Sequence, residues 1–281
     1  MQIPDFTNRI WKKIYIYLFT LAILVGVSVL FLPDGKLHIF FLDVDQGDSI
    51  LIQTPGNQNV LIDGGPQNKV LEELGDVLFF MDKTIDLMIL THPHADHVDG
   101  LSEVLKRYNV KKVLYTGVKS GNAAYKEFVK QIKVQNIPFI FPKSDQDFNL
   151  GHGVFIDILY PIESLFNKEV ENLNNSSIAL ILNYRKRRIL LTGDGEHEEE
   201  YEILEAGFDV EADLFKAGHH GSRTASSEAL LKASQPEKVI IQCGTGNNFG
   251  HPHYETLSKF TKMNISDVKR NDLDGRVEYV F

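Results

Sequence analysis

The sequence predicts an α/β fold: two packed mixed sheets with helices outside, preceded by one membrane-spanning helix. Three observations carry this expectation. Residues 14–32 form an uncharged apolar run. From residue 37 onward, short apolar runs alternate with helical patterns in two successive rounds, as two sheets flanked by helices require. Apolar runs repeatedly end in short polar segments carrying His and Asp, and strand ends are where ligand groups collect in such folds.

Composition narrows the class. With 43% hydrophobic and 24% charged residues in 281, the chain is an ordinary globular protein, which excludes disorder and collagen-like repeats. No Pro/Ser/Gly-rich linker interrupts residues 37–281, so one domain is expected there. Cys243 is the only cysteine, so an intrachain disulfide and a cysteine-rich zinc site are both impossible, and any metal must be held by His and carboxylates. The net charge of −9 has the wrong sign for a general nucleic-acid binder, though metal ions and a few local cations can still hold a polyanion.

The first element is the apolar run. It is long enough to cross ~30 Å of hydrocarbon at ~1.5 Å per residue. A core helix would show a polar stripe, and no small-x-small cleavage site precedes Pro33, so residues 1–36 are read as a short segment with a retained anchor helix at 14–32. Arg9, Lys12 and Lys13 precede the run, while Asp34 and Lys36 cancel after it. By the positive-inside rule the chain is single-pass in the cytoplasmic membrane with residues 37–281 outside.

Residues 37–44, 49–53 and 60–62 read as a meander with turns between. There follow a helix at 70–80, strand 87–90, helix 101–108, strand 112–115, helix 123–134, and strands 138–141 and 155–159. The second round opens with a hairpin at 178–184 and 188–192. It continues with a helix at 196–205 and strands at 213–216 and 239–242, each followed by a helix.

Seven of the ten histidines lie in three short segments, 92–97, 219–220 and 251–253. Residues 91–97 (Thr-His-Pro-His-Ala-Asp-His) follow the strand at 87–90. His92, His94, Asp96 and His97 put four potential ligands into six residues, a density suited to Zn²⁺ or a similar borderline ion. Another strand ends in Thr192-Gly193-Asp194, a natural bridging carboxylate. A third runs into Gly218-His219-His220-Gly221, where adjacent histidines cannot both face one point from a regular strand; His219 is taken as the ligand and His220 as its supporting neighbour.

This set resembles the metallo-β-lactamase superfamily, whose HxHxDH motif is matched at His92, His94, Asp96 and His97. Residues 41–49, 62–65, 191–194, 219–222 and 247–252 are similar to the C-terminal hydrolase domain of the ComEC-type competence proteins, which import DNA across bacterial inner membranes. The resemblance implies an αββα sandwich with one or two divalent metals between its sheets and hydrolysis of phosphodiester bonds, with DNA or a related anion as substrate. It implies His92, His94 and Asp194 around a first metal and Asp96, His97, Asp194 and His219 around a second. One apolar span leaves no channel in this chain, so a stand-alone relative is expected, with a competence or channel protein as its partner; its oligomeric state is open. The superfamily's further histidine is absent, so Asn175 or water takes that position, or the site binds loosely and Mn²⁺ competes with Zn²⁺.

Around this centre, Asp96 is either a ligand or the base that orients the attacking water. His251 can donate to the leaving oxygen, and Asn247 belongs to the same Gly-rich segment before a helix N-terminus suited to an anion. Ser222 and Arg223 either hold a phosphate or cap a helix near Ser226; Asp63 supports loop amides or a ligating imidazole. The cluster at 185–188 reads as a solvated hairpin tip, with a DNA clamp the competing reading. Hydrolysis of esters, thioesters or β-lactams is the competing activity, and a tethered non-catalytic metal-binding module is the competing class.

Overall fold

The computed structural model describes residues 6–30, 34–144 and 146–281. Its first strands show why this sequence makes a sheet covered on both faces. Along β1 (His38–Phe41), β2 (Ile50–Gln53) and β3 (Asn59–Ile62), Ile39, Phe41, Ile50, Ile52, Val60 and Ile62 enter one apolar cluster. Phe40, Leu51 and Leu61 enter another, as a side-chain period of two requires.

The strands that follow are β4 (Thr84–Ile85), β5 (Leu87–Leu90), β6 (Asn109–Val110), β7 (Val113–Tyr115) and β8 (Phe139–Ile140). The second round gives β9 (Asp147–Gly151), β10 (Val154–Tyr160), β11 (Ala179–Tyr184), β12 (Arg187–Leu191), β13 (Leu214–Lys216) and β14 (Lys238–Ile241). β15 (Asp267–Arg270) and β16 (Val277–Val280) close the chain. Two mixed seven-stranded sheets result, in the orders β16-β1-β2-β3-β5-β7-β8 and β15-β14-β13-β12-β11-β10-β9, with a small β4-β6 pair beside them. The expected two-sheet α/β sandwich is therefore present.

The helices are α1 (Phe6–Leu30), α2 (Lys69–Val77), α3 (Ala95–Arg107), α4 (Ala123–Val134), α5 (His197–Glu205), α6 (Glu228–Ser234), α7 (Tyr254–Lys262) and α8 (Asn271–Asp274). Side chains of α2, α3 and α4 cover the outer face of the first sheet, and those of α5, α6 and α7 cover the second. Between the sheets, Ile89 and Ile52 share a core with Leu180, Leu182 and Leu214. β3, β5, β7 and β8 are mutually parallel, as are β12 to β15, so their C-terminal ends gather loops from both sheets at one edge.

Several boundaries differ from expectation. The helix placed at 101–108 begins at Ala95, because the motif residues themselves form its first turn. The helix placed at 70–80 ends at Val77, where Leu78 turns to an extended conformation. The edge strands β9, β15 and β16 carry weak apolar patterns; β16 pairs antiparallel with β1 and completes the first sheet. At the N-terminus, α1 has 25 residues, about 37 Å of helix. Its Arg9–Val27 stretch is long and apolar enough to cross a membrane and buries none of its surface in the domain. Residues 1–5 of the expected N-terminal segment, and 31–33 at the end of the expected span, lie outside the described residues.

Candidate metal centre

The first loop is built by backbone packing. β5 ends at Leu90, His94 is the extended residue before α3, and Asp96 and His97 occupy the first helical turn. α3 is held there by a close backbone approach: a Cβ on Gly100 would lie 2.0 Å from the Gly64 carbonyl oxygen. The His97 carbonyl in turn accepts from the Gly64 amide at 2.8 Å.

Asp63, at the end of β3, fixes both this loop and one imidazole. Its carboxylate accepts from the Thr91 amide (2.8 Å), the Thr91 hydroxyl (2.6 Å) and His97 Nδ1 (2.8 Å). With Nδ1 engaged, His97 presents Nε2 to Asp194 Oδ2 at 3.2 Å. A carboxylate behind an imidazole is the usual way a ligand's tautomer and direction are set.

Asp194 follows β12 on a turn where Gly193 has φ +54°, and its amide donates to Ser177 Oγ at 3.1 Å. From the third loop, His219 and His220 both have left-handed backbones, φ 48° and 53°, and so diverge. His220 is buried, with Nδ1 3.0 Å from the Gln242 carbonyl and Nε2 3.2 Å from Asp194 Oδ2 and 3.3 Å from Asp96 Oδ2. His219 stays at the rim, 4.0 Å from Asp194 and 3.1 Å from Glu196. The structure thus seats His220, not His219, among the other donors, the reverse of the sequence expectation. The physical reason is that the histidines sit on a tight left-handed turn rather than on the strand.

Asp96, His97, Asp194 and His220 each offer one atom, all within 4.8 Å of one another. His92 stands beside them, its Nε2 3.9 Å from Asp194 and 3.1 Å from Nδ1 of His94. Asp194 Oδ1 is buried without a hydrogen-bond partner. Buried polar atoms left open are costly unless something else satisfies them, and an all-N/O donor set with several carboxylates fits a divalent cation.

The charges divide the centre. Burial opposes ionisation of His97 and His220, but Asp194 outweighs it, helped by Asp63 and Asp48 respectively, and holds both imidazoles well above their ordinary value. Burial likewise opposes the Asp194 and Asp96 carboxylates, yet His220 and His97 hold both below the usual carboxylate range. Burial and the neighbouring His97 push His92 and His94 down, leaving them neutral.

Other expected residues lie elsewhere. The Asn175 amide is spent on the Glu196 backbone (2.8 Å) and on Glu198 (3.1 Å), so it does not fill the missing histidine's position. The buried neighbour Asn174 reaches within 3.5 Å of the His219 ring. Asn247 holds its own loop, donating to the Gly244 and His251 carbonyls and accepting from the His251 amide, which leaves nothing for a reacting group. Ser222 bonds Thr224 at 3.0 Å within the turn, and the exposed Arg223 faces Glu255 at 3.6 Å. His251 does line the site, its ring 5.5 Å from that of His219; burial and the flanking His220 and His219 push it down to about 4.

Sequence reasoning missed Lys216. Fully buried at the end of β13, its ammonium contacts Asp48, donates to the Gly193 carbonyl at 3.1 Å and lies 3.8 Å from Asp194 Oδ1. Its signal was a lysine closing an apolar strand directly before the His-His turn.

Comparison with known proteins agrees with this geometry. A sequence model of the Metallo-beta-lactamase superfamily matches residues 42–244. ComE operon protein 3 of Bacillus subtilis (strain 168) is 28% identical over 263 residues, 86% of this chain and 33% of that protein. Recombination protein 2 of Haemophilus influenzae is 27% identical over 245 residues, 85% of this chain and 28% of its own. The chain thus spans about a third of the length of these relatives. Among solved structures, the metallo-beta-lactamase fold protein YhfI from Bacillus subtilis superposes with a TM-score of 0.57 at 15% identity, covering 87% of this chain and all of that one. CmlA, a diiron beta-hydroxylase from Streptomyces venezuelae, gives 0.55 at 13% identity, covering 88% of this chain and 54% of that one. These two likenesses are of fold.

Proposed function

This chain belongs to the metallo-beta-lactamase superfamily, and from that premise we propose that it is a membrane-anchored hydrolase of phosphodiester bonds, with DNA or a related polyanion as substrate. The observation that carries the reading is the convergence of Asp96, His97, Asp194 and His220 from three distant loops, with one buried oxygen of Asp194 left unpartnered. The similarity to competence proteins supports the choice of substrate, and that of a competence or channel protein as partner. α1 supports the anchor, and Arg9, Lys12 and Lys13 at its start support placing the domain outside the cytoplasmic membrane.

In this reading Asp96, His97, Asp194 and His220 would hold one divalent ion, and His92 and His94 would help hold a second. Zn²⁺ is the ion best suited to this set, with Mn²⁺ the harder alternative. When bound, such an ion supplies Lewis acidity and makes water nucleophilic near neutral pH. The chain's own groups do the rest. Asp63 keeps His97 Nε2 aimed inward, and Lys216 and Gln242 hold Asp48 and His220 in place. Where the half-exposed Asp96 does not ligate, it can instead orient the attacking water, a role that competes with ligation. His251, neutral at physiological pH, donates an N–H hydrogen bond toward the leaving oxygen rather than a full proton.

The test is turnover of bis-p-nitrophenyl phosphate and DNA by the full chain with added Zn²⁺ or Mn²⁺, beside nitrocefin. Metal-dependent phosphodiester cleavage that is lost in Asp194→Ala supports the reading. Robust nitrocefin turnover without phosphodiester cleavage overturns it in favour of carbonyl chemistry.

A further inference from the structure

One strand away from the metal loops is a second concave surface of opposite character. A cleft of about 620 Å³ lies between the end of β7, the exposed face of α4 and the strand β8. Its floor is aromatic. The Phe141 and Phe166 rings are stacked with centroids 4.2 Å apart and planes inclined by 21°, and Tyr115 lies 5.2 Å from Phe141. Phe166 and Phe139 nevertheless remain 56% and 43% exposed, and together with Tyr115 and Phe141 they form one apolar patch open to solvent. Gly117, with φ +70°, passes so close beneath that a Cβ there would meet the Phe141 ring at 2.6 Å.

One wall of the cleft is basic. Lys126, Lys130 and Lys133 are exposed at i, i+4 and i+7 along α4, on a single face, and all three line the cleft with Lys119. Lys130 pairs with Glu127 and Lys119 with Glu169; among the described residues Lys126 and Lys133 have no ion-pair partner. In a chain of net charge −9, residues 106–133 carry eight Lys and Arg against one acid, Glu127. A row of cations beside exposed ring faces is the arrangement that holds phosphates and stacks unpaired bases.

We infer that this cleft is a docking site for single-stranded polynucleotide, with the backbone on the α4 lysines and bases on Phe139 and Phe166. A membrane surface would also answer to lysines and exposed rings, but the topology disfavours it. β1 runs parallel to β3, β5 and β7, so the chain enters the domain from α1 at the N-terminal edge of the sheet. The cleft borders the C-terminal edge, where Tyr115 pairs with Leu90, two residues before His92. A strand lying in the cleft therefore leads toward the metal loops. What happens to it there rests on the phosphodiesterase reading; its binding does not.

The experiment is fluorescence anisotropy of a labelled oligothymidylate, about 20 nucleotides long, with the full chain in neutral detergent and EDTA. Binding should weaken with salt with a logarithmic slope of about −2, the value for three phosphate contacts on a single strand. Lys126→Glu/Lys130→Glu/Lys133→Glu should weaken it about tenfold or more, and Phe166→Ala about fivefold or more. Lys232→Glu, on α6, should leave it unchanged. Turnover of bis-p-nitrophenyl phosphate, too small to reach the cleft, should be retained in all these variants and reports that they fold. Absence of binding by the parent chain overturns the inference, as does equal binding by parent and triple variant. Triple-variant loss of partition to phosphatidylglycerol vesicles with oligonucleotide binding unaffected also overturns it. A chain that binds the oligonucleotide but hydrolyses no phosphodiester sinks the proposed activity and leaves the docking site standing.

Discussion

The two halves of the candidate metal centre are built unequally. Asp96, His97, Asp194 and His220 are braced from behind by Asp63, Asp48, Lys216 and the Gln242 carbonyl. His92 and His94 touch each other, His92 also meets hydroxyls of Thr91 and Ser177, and His94 is half-buried. The same contrast appears in protonation. In the metal-free chain His97 and His220 are raised and carry protons near neutral pH, whereas His92 and His94 are lowered and carry none. One half is a set of ion-paired side chains braced from behind; the other is a pair of neutral imidazoles bonded to each other.

The largest effect that could break this comparison concerns the group shared by both halves. Asp194→Asn should abolish tight metal binding and lower metal-dependent hydrolysis by about 10³-fold or more, the scale of several kcal/mol of lost assistance. Equilibrium dialysis against Zn²⁺ and steady-state kinetics check it; retained stoichiometry would show that the halves are not joined through Asp194. Next, Asp63→Asn should cost about 10- to 100-fold in metal affinity by releasing His97 from its tautomer, with little change in the apolar core. His220→Ala should cost more affinity than His219→Ala, and the opposite order would return the ligand role to the rim histidine.

The pH dependence sharpens the contrast. Because His97 and His220 have folded values above the ordinary 6.5, their protonation stabilises the metal-free fold fully below 6.5, and that contribution is lost as pH rises through the folded values. His92 and His94 act with the opposite sign: their depressed values penalise the fold as pH falls below 6.5. Metal requires neutral imidazoles, so binding in the braced half must release protons near pH 7, and binding at His92 and His94 must release none. The metal-induced rise in Tm should accordingly be larger at about pH 8 than at about pH 6, measured by differential scanning calorimetry. A rise that shrinks with pH would contradict the assignment. The smallest effect is expected of Asn175→Ala, a change in metal affinity within about threefold, since its side chain serves Glu196 and Glu198.

Much of this was legible in the sequence because the governing signals are local. Apolar runs of period two located the central strands, and a dense His/Asp segment after one of them marked the loop that carries Asp96 and His97. What escaped depends on tertiary geometry. β16 escaped because it is only four residues long and half-buried at a sheet edge; Val277 and Tyr279 reach the core between the sheets only through pairing with β1, more than two hundred residues earlier. The choice between His219 and His220 turned on two consecutive left-handed residues, a conformation that side-chain pattern does not announce. Lys216 was hidden because a single lysine at a strand end is ordinarily solvated; only the converging acids Asp48 and Asp194 explain its burial. Asn175 was assigned by its position in a motif, while its hydrogen bonds are set by α5.

The most direct test of the metal centre is anomalous diffraction from crystals of the full chain grown with Zn²⁺ or Mn²⁺. A peak within about 2.0–2.2 Å of donor atoms from His97, His220, Asp96 and Asp194, stronger than any near His92 and His94, is the expected result. An active, metal-loaded chain whose ion lies away from these four side chains would contradict it.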